Sequence, residues 1–255
     1  MTDVGAITMR AEIVVVVALA LFATSAFAED AAVESENDPA GGYVPARFAN
    51  GIDTAAAEIQ FPKYKKDLSL NINCGAEVSA TGEVESYYCL DYYGGTDNKF
   101  RRIAEKFIRT TSITPASVNG APVPVNFHFR VYFGRKGDQY AVGVFPNWAD
   151  DVDRYGQEYE APQRYNEDAS GPNCSSVGGI SKVVVGVDGA ATDDVDLMMS
   201  YGILEHYGTC ENLFTQRVSD GRYIPALHEG KPVSATYVEV GGDPEWFTLK
   251  APEGL

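Results

Sequence analysis

Thr114-Pro115-Ala116-Ser117-Val118-Asn119-Gly120-Ala121-Pro122-Val123 runs through Pro124 into the alternating stretch Val125-Asn126-Phe127-His128-Phe129-Arg130-Val131-Tyr132-Phe133. Further along, Ile224-Pro225-Ala226-Leu227-His228-Glu229-Gly230-Lys231-Pro232-Val233 runs into Ser234-Ala235-Thr236-Tyr237-Val238-Glu239-Val240. Both spell Pro-Ala, a short polar loop, Gly-x-Pro-Val and an alternating strand. A pattern that recurs in this way predicts two folding units of similar build. Physically, Gly120 and Gly230 supply a turn with positive φ, while Pro122 and Pro232 set the entry to the strand. Pro115 and Pro225 mark where the preceding element stops.

Working outward from the first copy, Leu68-Ser69-Leu70-Asn71-Ile72-Asn73 alternates like a half-buried strand, and Glu83 to Leu90 returns after a turn near Gly82. If Thr81 and Gly82 form that turn, Cys74 falls opposite Cys89. A strict two-residue turn would place them at a hydrogen-bonded pair, where the α-carbons are farther apart, so a bulge or a longer turn is expected. From Lys99 to Arg109, Phe100, Ile103, Ala104, Phe107 and Ile108 fall on one helical stripe, with Asp97 or Asn98 as the cap. After the final strand, Gly134 to Asp138 signals a hairpin into Gln139–Phe145, a fourth strand.

The second copy reads in the same order. Lys182 to Val187 is a strand, Asp188-Gly189 a turn, Val195 to Tyr201 the returning strand, Glu211 to Val218 a short helix and Val233 to Val240 the last strand. Gly241 to Pro244 then leads into a possible added strand at residues 245–250. The fold class expected is therefore α+β: two tandem small domains, each an antiparallel sheet of β-β-α-β order with one packed helix and an added fourth strand. The boundaries expected are 56–146 and 174–255, separated by an acidic linker or covering loop at 147–173. Residues 29–55, rich in Ala, Asp, Glu and Gly without periodicity, are expected to be mobile.

Arg10, the apolar run Ile13 to Leu21 and the small-residue stretch ending Ala26-Phe27-Ala28 have the three parts of a secretory signal peptide at residues 1–28. An uncleaved anchor is the alternative, although Ile13 to Ala28 is shorter than the roughly 20 residues a spanning helix needs. Export to a periplasm follows as the expected localisation. With 15 Tyr and 12 Phe among 255 residues, the chain can build real cores, and its length suits about two domains. A formal charge of −16 argues against nucleic acid and anionic lipid surfaces as partners. Four cysteines in an exported chain predict disulfides, and pairing within each half gives Cys74 with Cys89 and Cys174 with Cys210. Zinc is the rival reading, but neither pair has Cys-x2-Cys spacing and the three histidines are scattered.

The order strand, Gly turn, strand, amphipathic helix, Pro-Ala, polar loop, Gly-x-Pro-Val and alternating strand resembles the carboxy-terminal domain of TonB, the energy transducer of Gram-negative envelopes. The resemblance covers roughly residues 65–133 and, more loosely, 178–240; Pro115, Gly120, Pro122, Pro225, Gly230 and Pro232 carry its structural motif. It implies protein binding without catalysis, by addition of an extended segment of an outer-membrane transporter beside the last strand. Carried over, the partner-binding residues are Asn126, His128, Arg130 and Tyr132 on the first strand, with Thr236 and Val238 on the second. Three features depart from a transducer: the only membrane-helix candidate looks cleavable, the 13 prolines form no long spacer, and each binding strand is followed by one that can cover its edge.

No catalytic motif is found: there is no Gly-x-Ser-x-Gly, no His-Glu-x-x-His, no phosphate-binding Gly loop and no Cys with a plausible His partner. Asp150-Asp151-Val152-Asp153 and Asp193-Asp194-Val195-Asp196 lack the ligand spacing of a calcium loop and read as solvated acidic turns. Tyr87, Tyr88, Tyr92 and Tyr93 form an aromatic cluster, read as packing or edge residues, and His128 reads as a surface or edge residue. The expectation is a non-enzymatic protein-binding module with no cofactor, no metal and no small-molecule substrate, whose partner is a transporter or another envelope protein. The alternative is an envelope structural or assembly protein with self-capped sheet edges.

Overall fold

The computed structural model describes residues 42–90, 98–165, 178–200 and 207–242. In chain order the elements are β1 (Tyr43–Val44), β2 (Arg47–Phe48), α1 (Ile52–Glu58), β3 (Leu68–Val78), β4 (Val84–Leu90), α2 (Lys99–Thr110), β5 (Ile113–Thr114), β6 (Ala116–Val118), β7 (Ala121–Val123), β8 (Val125–Lys136), β9 (Gln139–Phe145), α3 (Val152–Tyr155), β10 (Gln163–Arg164), β11 (Gly178–Val185), β12 (Ala191–Ser200), α4 (Tyr207–Ser219), β13 (Tyr223–Ile224), β14 (Ala226–His228), β15 (Lys231–Val233) and β16 (Ala235–Gly242). The class is α+β, built mostly from antiparallel sheet. Among the described residues no helix is long and apolar enough to cross a membrane.

Strand β8 is the axis of the larger sheet. On one side β3 pairs with it from Leu68↔Arg135 to Val78↔Val125, and β4 lies beyond β3. On the other side β10 meets it at Asn126, while β9 pairs from Arg130 to Lys136. The apolar set Val125, Phe127, Phe129, Val131 and Phe133 is buried against Phe100, Ala104, Phe107 and Ile108 of α2. Removing each such ring from water contributes about 1.5–3 kcal/mol, which is why the alternating run and the helical stripe find one another.

The β3–β4 hairpin pairs Cys74 with Cys89 and shifts register between Glu77 and Val78, so the expected bulge is present. Cys74 and Cys89 are disulfide-bonded, their α-carbons 4.1 Å apart, as in the closer kind of antiparallel pair. Cys210 also belongs to a disulfide; its expected partner Cys174 lies outside the described residues.

The smaller sheet has the order β12-β11-β16. Val183 and Val185 pack with Val218, Tyr223 and Tyr237 on the side of α4. Ile180 and Val238 point the other way, against Leu90 and Trp148. That second contact joins the two sheets.

Two segments outside the repeated units are packed. Residues 42–55, expected to be mobile, are packed: Phe48 sits in the main core, its ring 5.1 Å from that of Phe127 and 5.4 Å from that of Phe129. The Gln163 side-chain amide pairs with the backbone of Ala46, accepting from its N–H at 2.8 Å and donating to its carbonyl at 2.9 Å. Likewise residues 147–165 are not a free linker but a cover, with Asn147, Trp148, Tyr159, Gln163 and Arg164 all buried. Of the two alternatives for the second segment the covering loop is what forms, because a few large or amide side chains can anchor an otherwise polar segment. The signal-peptide segment, the remainder of the expected linker, Tyr92, Tyr93 and residues 245–250 lie outside the described residues.

Candidate functional site

Alternation along β8 places Asn126, His128, Arg130 and Tyr132 on one face, but that face is covered rather than open. His128 and Arg130 are only 5% and 3% exposed, so the expectation of a surface histidine and an outward binding set is corrected. Asn126 and Tyr132 are half-buried. Trp148 lies across this face, its indole N–H donating to the Cys74 carbonyl at 2.8 Å, its ring 5.0 Å from that of His128. In register, Tyr88, Gly75 and His128 form one row across β4, β3 and β8. Only a glycine lets the row close: a Cβ on Gly75 would lie 2.4 Å from the Tyr88 ring, which crosses above it to bring the hydroxyl 3.1 Å from His128 Nε2. Arg130 contacts Gln157 and stacks over the Phe145 ring at 4.5 Å.

At the end of this face is a buried carboxylate. Along β16, Glu239 falls in phase with the buried Ala235 and Tyr237, and it is only 5% exposed. Arg164 of β10 reaches its Oε1 at 3.2 Å and Arg217 of α4 at 3.0 Å. Asn126 of β8 donates to Oε2 at 3.2 Å, and the Tyr237 hydroxyl binds the same oxygen. Burial opposes the charge, yet the two guanidinium groups and the tyrosine hold the Glu239 carboxyl below its usual range. Burial pushes the Tyr237 phenol well above its ordinary value, and Glu239 adds to that. Burial also pushes His128 down to about 4, against the pull of Glu239.

This cluster ties four elements together. A cation on β10 and another on α4 find one carboxylate from β16, so the arrangement works as a joint between the sheets. Its in-phase carboxylate was the one sequence signal that could have revealed it. Arg164 and Arg217 gave none, since nothing local distinguishes a cation that is buried from one that is solvated.

The strand edges differ in what covers them. The outer side of β8 is filled by β10 and β9. Along β16, Val238 is buried, and the Thr236 N–H donates to Asp151 Oδ2 at 2.7 Å. The Ser234 carbonyl accepts from Tyr155 at 2.7 Å. Side chains around α3 thus occupy backbone groups along this edge. β12 carries Asp193, Asp194 and Asp196, a charged edge of the kind that discourages pairing.

β9 differs. Its seven residues, Gln139-Tyr140-Ala141-Val142-Gly143-Val144-Phe145, contain no charge and no proline, and it pairs only with β8 among the described strands. Beside it runs a groove of about 1130 Å³ lined by α1, α2 and the β9 residues Tyr140, Ala141 and Val142. Tyr140, 66% exposed, packs on Phe61 with ring centres 5.2 Å apart.

The six motif residues bound two short hairpins, β6–β7 and β14–β15. In the first, Asn119 and Gly120 take φ of 52° and 77°; in the second, Glu229 and Gly230 take 53° and 73°. Comparison with known proteins finds no matching family model, no matching curated protein and no matching solved structure.

Proposed function

We propose that this protein is a non-catalytic, TonB-like protein-binding module that takes an extended partner segment as an added strand on the outer edge of β9. The observation that carries the reading is the long, uncharged, proline-free edge of β9 beside an open groove. Backbone hydrogen bonds along such an edge supply affinity, and alternate side chains entering the groove supply selectivity. A pair of tandem units of β-β-α-β order is part of the proposal. Supporting it, β4-β3-β8 and β12-β11-β16 have the same pairing order, a helix precedes the third strand in each, and the two motif hairpins share their dihedral pattern. Export to a periplasm accords with the Cys74–Cys89 disulfide, and an outer-membrane transporter or another envelope protein is the partner class that goes with it.

Proline substitution tests this. In an antiparallel edge strand successive N–H groups point alternately inward and outward, so of Tyr140→Pro and Ala141→Pro one removes an outward donor and leaves the ladder intact. That variant is expected to fold and to lose binding of extended peptides, with amide shifts at 139–145 absent. Peptide binding that survives in both folded variants would refute the site.

A second reading is favoured by the Asp151 and Tyr155 contacts on Thr236 and Ser234: a scaffold of the envelope whose edges are closed by its own side chains. Affinity capture from envelope extracts separates the two, a transporter supporting the first and periplasmic or cell-wall components the second.

A further inference from the structure

The chain is acidic, with a formal charge of −16, but its cations are not spread evenly. Lys63, Lys65 and Lys66 are exposed in the segment before β3, and Arg102, Lys106 and Arg109 are exposed on α2. The one acidic residue of α2, Glu105, lies 3.6 Å from Arg101, and the exposed Asp67 directly follows Lys66. The two groups form one surface: Lys99 reaches back to the Lys63 carbonyl at 3.5 Å and sits 4.7 Å from the centre of the Tyr64 ring. Lys63 and Lys106 both line the groove beside β9. The α1 wall contributes Asp53 and Glu58, so the groove lining carries two charges of each sign, and the excess of cations lies outside it, at Lys65, Lys66, Arg102 and Arg109.

We infer that the strand accepted at β9 is acidic: an extended polypeptide segment carrying several carboxylates, which lie over the basic surface formed by Lys63–Lys66 and α2. This rests on the strand-addition reading and adds the chemistry of the partner to it. The field of the whole chain repels anions at long range, but within a Debye length of about 10 Å at 0.1 M salt the local charges dominate. Apolar side chains at alternate positions suit the groove floor of Ala56, Phe61 and Val142. A membrane surface is disfavoured, because the cations border a concave groove whose exposed ring, Tyr140, packs sideways on Phe61.

Two synthetic peptides with the same apolar alternation, one bearing Asp and Glu at the polar positions and one bearing Ser and Gln, are titrated against the mature full-length protein. The acidic peptide is expected to bind about tenfold more tightly at about 50 mM salt, since several exposed ion pairs each add a modest factor. At about 0.5 M salt the advantage should fall below about twofold. Lys63→Glu with Lys106→Glu should remove the preference for the acidic peptide over the neutral one. Equal affinity for the two peptides overturns the acidic partner and leaves the strand site standing. Failure of both to bind overturns the two together. Binding of vesicles rich in phosphatidylglycerol, with no peptide preference, assigns the surface to lipid and likewise overturns the inference.

Discussion

Acid should destabilise this protein through His128. The imidazole is buried on β8, faced by Tyr88 from β4, Trp148 from the covering segment, and Tyr237 and Glu239 from β16, with Arg164 of β10 beyond. Its pKa falls from 6.5 to about 4, so the folded state holds it neutral while the unfolded chain takes up a proton. Between those values the unfolded state binds more protons, and stability drops as pH falls. Over the full interval the loss is about 3 kcal/mol, and about 2 kcal/mol of it has gone by pH 5. Below about pH 4 this contribution levels off. Glu239, whose pKa is depressed, has the opposite starting point: its contribution is present above the ordinary carboxylate value of 4.5 and is lost only as pH falls further. The two limbs are therefore separable. Urea unfolding at closely spaced pH values reads the slope directly, and His128→Gln, which stays neutral throughout, should flatten the limb between pH 6.5 and 4 while leaving the steeper loss below it. An unchanged slope in that variant would refute the assignment of a neutral, buried His128.

Three further outcomes are expected. Glu239→Gln leaves Arg164 and Arg217 facing a neutral amide in a buried site, and should cost about 3–5 kcal/mol in denaturant unfolding; a loss under 1 kcal/mol would mean the carboxylate is not the joint described. Opening the Cys74–Cys89 bond, which spans a separation of 15 residues, by Cys→Ser at both positions should lower stability by about 3 kcal/mol, chiefly through the unfolded chain. Gly75→Ala forces the Tyr88 ring aside and should cost about 1–3 kcal/mol, with the His128 ring resonances shifting as the Tyr88 contact is lost; unmoved resonances would count against the row of three residues across the sheet.

Much of the fold was legible because its elements rest on local physics. The α2 stripe has only to match a 3.6-residue period, and α2 forms where that pattern lies. The Cys74–Cys89 register follows from the position of one turn, and the bulge that brings the α-carbons close follows from sheet geometry. The β9 hairpin needed only a polar turn between two alternating runs. What misled was the polar half of the alternation. Asn126, His128 and Arg130 look like a wet face, yet alternation says only that two faces differ, not that one meets water.

The sequence by itself determined the α+β class, the first hairpin with its disulfide, the amphipathic helix and the two Gly-x-Pro-Val turns, because each depends on residues close along the chain. Only the tertiary structure decided that residues 42–55 and 147–165 are packed covers, that Glu239 gathers Arg164 and Arg217, and that β9 pairs with β8 alone among the described strands. These depend on which surfaces remain after distant segments have docked. Burial of a charge is set by partners far away in sequence, and an edge is defined by the strand that fails to arrive.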